Sequence, residues 1–151
     1  MKCFRKIVAI IVTISLLCSI SVGFSGCSSN TNDGALTRGA WITALAEKMG
    51  LDEYQSDANY FRDIKSDNPI FSYVQSSYEW GVLDHQDSPY FYEDFKAKKG
   101  FIAETIVRAS TLLDNDSATE DEIIACAIEN GLLSSKKEAN QNAKKADVDG
   151  K

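Results

Sequence analysis

Apolar residues along this chain recur at helical spacing in four places. In L36-T-R-G-A-W-I-T-A-L-A-E-K-M-G-L51, Trp41, Ile42, Leu45, Ala46 and Met49 fall on one side of a helix. Thr37 offers an oxygen to cap its first turn, and Gly50 suits a left-handed end. In N68-P-I-F-S-Y-V-Q-S-S-Y-E-W-G-V-L83 the shared face is Ile70, Val74, Ser77 and Tyr78. Asn68 and Pro69 stand at its cap and first-turn positions, and Gly81 stops it. The third segment is K98-K-G-F-I-A-E-T-I-V-R-A-S-T-L-L113. The fourth is T119-E-D-E-I-I-A-C-A-I-E-N-G-L-L133, where Thr119 and Glu122 have the spacing of a capping box. The pattern predicts a mainly α fold, a small bundle of about four helices with little or no β structure. Its predicted core is Trp41, Leu45, Val74, Tyr78, Ile106, Ile124 and Ile128.

The segments repeat. A shift of 61 lays Gly100 on Gly39, Ile102 on Trp41 and Ile106 on Leu45. A shift of 50 lays Ile124 on Val74, Glu129 on Glu79 and Gly131 on Gly81. The chain therefore reads as two helix–loop–helix units. The loops after the first and second helices are long, about 14 to 16 residues, and loops of that size usually carry their own packing or a function. Tyr60, Phe61 and Ile64 are expected to pin the first loop against the helices, and Phe91 and Phe95 the second.

Ahead of these units the pattern changes. Residues 2–6 (K-C-F-R-K) are basic, and residues 7–22 carry no charge. That apolar run of about 16 residues is shorter than the roughly 20 a spanning helix needs. Basic, apolar and small-residue regions in that order describe a secretory signal peptide. The stretch F24-S-G-C27 resembles the lipobox of bacterial lipoproteins, with Phe24 where an aliphatic residue is usual. The resemblance implies that Cys27 is the lipid attachment point and the first mature residue. It also implies export and anchoring by lipid to the outer face of the cytoplasmic membrane. The chain then divides into a signal peptide (1–26), a flexible tether (27–35), a helical domain (36–133) and a polar C-terminal segment (134–151).

Removing residues 1–26 takes away Lys2, Arg5 and Lys6 and moves the formal charge from −6 to −9. Such acidity argues against nucleic acid as a partner, because phosphate binding needs basic clusters. Of the four cysteines only Cys126 would remain unmodified, so no internal disulfide is expected. Its apolar helical neighbours make it a buried, inert thiol.

A further resemblance rests on motif order. T37-R38-G39-A40-W41 opens a helix, F61-R62-D63-I64 lies in the loop, and Y78-E79-W80-G81-V82-L83 forms a glycine turn. F95-K-A-K98-K99-G100-F101 then leads into the next helix. This order resembles the S-layer homology module over roughly residues 36–133. The chain departs from the family at Gly39-Ala40, where Ala-Glu is usual, and at Lys98-Lys99, where Thr-Arg would stand. K144-K-A-D-V-D-G-K151 only hints at the start of a third copy, so the chain holds about two units, whereas modules of that family commonly work as sets of three around a shared centre.

The resemblance implies a non-catalytic protein that binds or scaffolds at the cell wall. Its partner would be an acidic, pyruvate-bearing polysaccharide or an envelope protein, and no cofactor is implied. Arg38 would hold the acidic ligand, with Lys98 and Lys99 in the matching turn of the second unit. A guanidinium presents a planar fork to a carboxylate, and a helix start adds free N–H donors. Trp80, just before a glycine turn, could stack on a sugar or pack locally.

Catalytic chemistry finds less to use. His85 is the one histidine, too few for a zinc site or a triad. D147-V-D-G is too short for a calcium loop of about twelve residues. The alternative left open is a small envelope hydrolase that acts on glycan through a pair of carboxylates.

Overall fold

The computed structural model describes residues 34–51, 54, 58–84, 88–110 and 118–149. Cys27, His85 and the whole predicted signal peptide lie outside them. Among the described residues the chain is mainly helical, in agreement with its apolar spacing. The helices are α1 (Arg38–Met49), α2 (Phe71–Glu79), α3 (Lys99–Ala109), α4 (Glu120–Glu129), α5 (Lys136–Ala139) and α6 (Lys145–Asp149). Among the described residues, extended backbone pairing is confined to three isolated bridges: Ala35 with Lys144, Thr37 with Lys96, and Lys98 with Asn142.

Local chemistry sets the helix ends. Thr37 Oγ1 accepts the Ala40 N–H at 3.2 Å, and Gly50 closes α1 at φ 69°. Thr119 and Glu122 form the full reciprocal capping box of α4. The second helix begins later than its sequence predicts. Asn68 Oδ1 accepts the Ile70 N–H at 2.9 Å, so residues 68–70 fold into a turn and α2 starts at Phe71. Lys98 stands at the N-cap of α3 as Thr37 does for α1, but contributes no side-chain cap.

The three bridges close a ring. Leu36 N donates to Ala143 O at 3.1 Å, Ala143 N to Ala97 O at 2.8 Å, and Ala97 N to Leu36 O at 2.7 Å. Around it runs an outer set: Arg38 N to Phe95 O, Lys99 N to Gln141 O, and Lys145 N to Gly34 O, all at 2.8–2.9 Å. Segments 34–38, 95–99 and 141–145 are thus related by an approximate threefold axis, each donating to both neighbours and accepting from both, with the inner and outer sets running in opposite senses. Ala97 and Ala143 are fully buried there, because small side chains let three backbones meet. Gly34 and Ala35, expected as the end of a flexible tether, belong to the ring. So do residues 141–145 of the expected polar C-terminal segment.

The packing departs from one shared core. α1 pairs with α2, and α3 with α4. The first pair encloses Ile42, Phe61, Ile64, Val74, Leu83 and Phe91. The second encloses Ala103, Val107, Ile123, Ile124, Cys126, Ala127 and Leu133. A third cluster of Ala97, Ile102 and Ala143, flanked by Leu36, Trp41, Ile106 and Val148, joins them at the ring. Of the predicted core, Val74 and Ile124 are buried, whereas Trp41, Leu45, Tyr78 and Ile106 are half-buried and Ile128 is 37% exposed. The loop rings Phe61 and Phe91 take the space between α1 and α2, which moves the helical side chains outward. The glycine shared by both units has a packing cause. A Cβ on Gly100 would stand 3.0 Å from Ala139 Cβ and 3.1 Å from Ala139 O. One on Gly39 would stand 3.2 Å from Glu93 Cβ and O.

Candidate functional site

Arg38 is the first residue of α1, and the ring places it against the turn that ends the first unit. Its Nε donates to Phe91 O at 2.8 Å. Its guanidinium carbon lies 4.1 Å from the centroid of the Phe101 ring and 5.2 Å from that of Phe91. A cation between aromatic faces is held by their quadrupoles. Burial lowers the arginine pKa from its usual value, opposed by the charges of Glu104 and Asp63. Neither carboxylate pairs with it. Glu104 accepts from Arg108 Nε at 3.0 Å, and Asp63 is occupied by backbone N–H groups. Among the described residues, the Nη edge of Arg38 therefore has no ion-pair partner. The arrangement offers a partly desolvated, oriented donor pair to an incoming anion.

The loop motif explains how the cage is assembled. Phe61 and Ile64 are buried, while Asp63 Oδ1 accepts Phe91 N at 2.8 Å and Oδ2 accepts Tyr92 N at 2.7 Å. The polar side of the loop is fixed by fully buried Gln75, whose Oε1 accepts Tyr60 N and whose Nε2 donates to Asn59 Oδ1. Asp63 holds Tyr92 at φ 57°, the one non-glycine positive φ among the described residues. Such a conformation costs about 1–3 kcal/mol and persists only when neighbours over-determine it. It turns Phe91 inward under Arg38 and Tyr92 outward. Phe95, expected to pin this loop, instead stacks on Tyr92 at 4.8 Å with 60% of its surface exposed. The turn closed by Phe95 N to Tyr92 O points that ring away from the helices.

Lys99 takes the place of Arg38 in the second unit, but its charge is consumed. Nζ lies 3.0 Å from Glu138 Oε1 and 3.6 Å from Asp147 Oδ1. Hydrogen bonds from the Ser134 hydroxyl and N–H, then from Lys99, hold the Glu138 pKa down at about 2. The hydrogen bond to Glu138 raises that of Lys99 in turn. Lys98 is exposed and donates from Nζ to Asn142 Oδ1 at 2.8 Å. Trp80 ends α2 with its side chain 71% exposed, so it is not packed locally. It shares no hydrogen bond or ring contact with Arg38, Lys98 or Lys99.

Of the sequence-predicted residues, then, the structure gives Arg38 a built environment and ties Lys99 into an internal ion pair. Lys98 and Trp80 stand apart, and Cys27 lies outside the described residues. Sequence reasoning missed that Phe91 and Phe101 form the cage. Phe101 carried a signal, since it follows the helix-opening pair Lys98-Lys99 in the second unit and therefore faces the first across the ring. Among the described residues, no His, Cys, Asp and Glu side chains gather as metal ligands would, and no helix is long and apolar enough to cross a membrane. No protein-family model, curated protein or solved structure matches the chain.

Proposed function

We propose that this protein is a lipid-anchored, non-catalytic envelope protein with an S-layer-homology-like module. Its Arg38 holds a carboxylate of an acidic cell-wall polymer. The observation that carries this reading is the Arg38 guanidinium, gripped by two phenylalanine rings and a carbonyl yet left, among the described residues, without a carboxylate of its own. A half-buried cation in a domain with abundant acid residues would ordinarily be neutralised from within, as Lys99 is. The threefold ring supports the reading too, because it builds the repeat around a shared centre. Attachment through Cys27 rests on the order of basic, apolar and small residues ending at S-G-C. Two acyl chains at about 0.8 kcal/mol per buried methylene would hold the domain at the membrane.

Two measurements test the proposal separately. Cys27→Ala should leave an unprocessed precursor that incorporates no labelled fatty acid, and normal labelling would refute the anchor. The protein should co-sediment with purified cell wall that retains its acidic polymer, and not with wall stripped of it. Equal sedimentation with both would refute the acidic ligand.

A further inference from the structure

Three of the five large apolar side chains that stand exposed among the described residues fall within six positions: Tyr90, Tyr92 and Phe95. Their rings form a row, Tyr90 to Tyr92 at 5.7 Å and 30°, then Tyr92 to Phe95 at 4.8 Å and 19°. The row is held rigidly. Asp63 clamps the backbone of residues 91 and 92, and the Arg38 N–H bonds the Phe95 carbonyl. Tyr92 and Phe95 line a hollow of about 270 Å³ together with Asp63, Glu93 and Asp94. That volume is below the roughly 300–1,000 Å³ of pockets for drug-sized molecules and suits a single small ring.

The lining decides the class of occupant. Aromatic faces take the C–H face of a saturated ring or a cation. Asp63 and Glu93 already accept neutral N–H groups, from residues 91 and 92 and from the Asn68 amide, and Asp94 is exposed. None of the three pairs with a cation among the described residues, and they are not gathered as metal ligands would be. An anion would be repelled, and a bare metal ion would leave the rings unused. We propose that this hollow is a second glycan subsite, distinct from the Nη edge of Arg38, that takes an amino-sugar ring. The sugar's C–H face lies on the exposed Phe95 ring, at the end of the row, its ammonium stands beside the carboxylates, and its hydroxyls donate to them. This assignment stands whether or not Arg38 binds an acidic polymer.

The test uses the full-length protein and two probes, a β-1,4-linked glucosamine tetramer and its N-acetylated counterpart, titrated by calorimetry. The free-amine tetramer should bind more tightly than the acetylated one. Phe95→Ala, which removes an exposed ring, should weaken both about tenfold, the scale of losing one cation–aromatic or stacking contact. Asp94→Asn should reduce the preference for the free amine and affect the acetylated tetramer less, since an amide oxygen still accepts from its hydroxyls, a split that a merely structural role would not produce. Tighter binding of the acetylated tetramer, no binding of either, or full affinity in Phe95→Ala would overturn the assignment. So would a tetralysine peptide that binds as tightly as the sugar, since charge alone would then explain the attraction.

Discussion

The indole Nε1 of Trp41 donates to Thr105 Oγ1 at 2.8 Å, joining α1 of the first unit to α3 of the second. The Thr105 hydroxyl also lies 3.0 Å from Phe101 O and 2.9 Å from Ile102 O, so its proton is committed to its own helix and its lone pair to Trp41. Thr105 is almost fully buried, and the bond is a polar tie beside the apolar contacts that join the two units at the ring. Thr105→Val keeps the side-chain volume but leaves the indole N–H without an acceptor. It should destabilise the protein by about 1–3 kcal/mol in urea unfolding. A change near zero would mean that water replaces the hydroxyl freely.

The division of the core gives a contrast between two isoleucines. Ile42 is fully buried between α1 and α2, and Ile128 is 37% exposed on α4. Ile42→Ala should cost about 2–5 kcal/mol. Ile128→Ala should cost no more than about 0.5 kcal/mol. Equal losses would show that the chain packs α4 the other way round.

The four longer helices and the caps of α1 and α4 were legible because they rest on local chemistry, whereas the later start of α2 and the short helices α5 and α6 were not. Thr37, Gly50 and the Thr119–Glu122 box act within one turn of themselves. The doubled glycine at 39 and 100 was legible as a pattern, but its cause was not, since the crowding residue Glu93 or Ala139 is far away in sequence. Which of Trp41 and Ile42 points inward could not be read from spacing. Adjacent helical positions differ by only about 100°, and what settles the choice is Phe61 and Phe91 arriving from loops. For the site, Arg38 was legible from its place at a helix start. Its cage was not, because Phe91 and Phe101 reach it only when three short segments close their ring.

Glu138 links the ring to acid stability. Ser134 and Lys99 hold its folded pKa at about 2, below an ordinary glutamate near 4.3. A depressed carboxylate stabilises the fold above its unfolded pKa and loses that contribution as pH falls toward its folded pKa. Urea midpoints should therefore fall between about pH 5 and pH 2 more steeply in the wild type than in Glu138→Gln. Parallel curves would show that Glu138 is no better solvated folded than unfolded.

The central claim is that Arg38, and not its counterpart Lys99, is the anion-binding group. Binding isotherms from sedimentation with purified cell wall address it most directly, using Arg38→Lys, Arg38→Ala and Lys99→Gln, each first shown to fold by circular dichroism. A charge-assisted hydrogen bond contributes about 1.5–3 kcal/mol, which is roughly a 10- to 150-fold change in affinity. Arg38→Ala should lose affinity in that range, Arg38→Lys should lose part of it as the planar fork disappears, and Lys99→Gln should keep wild-type affinity. Undiminished binding by Arg38→Ala would contradict that claim.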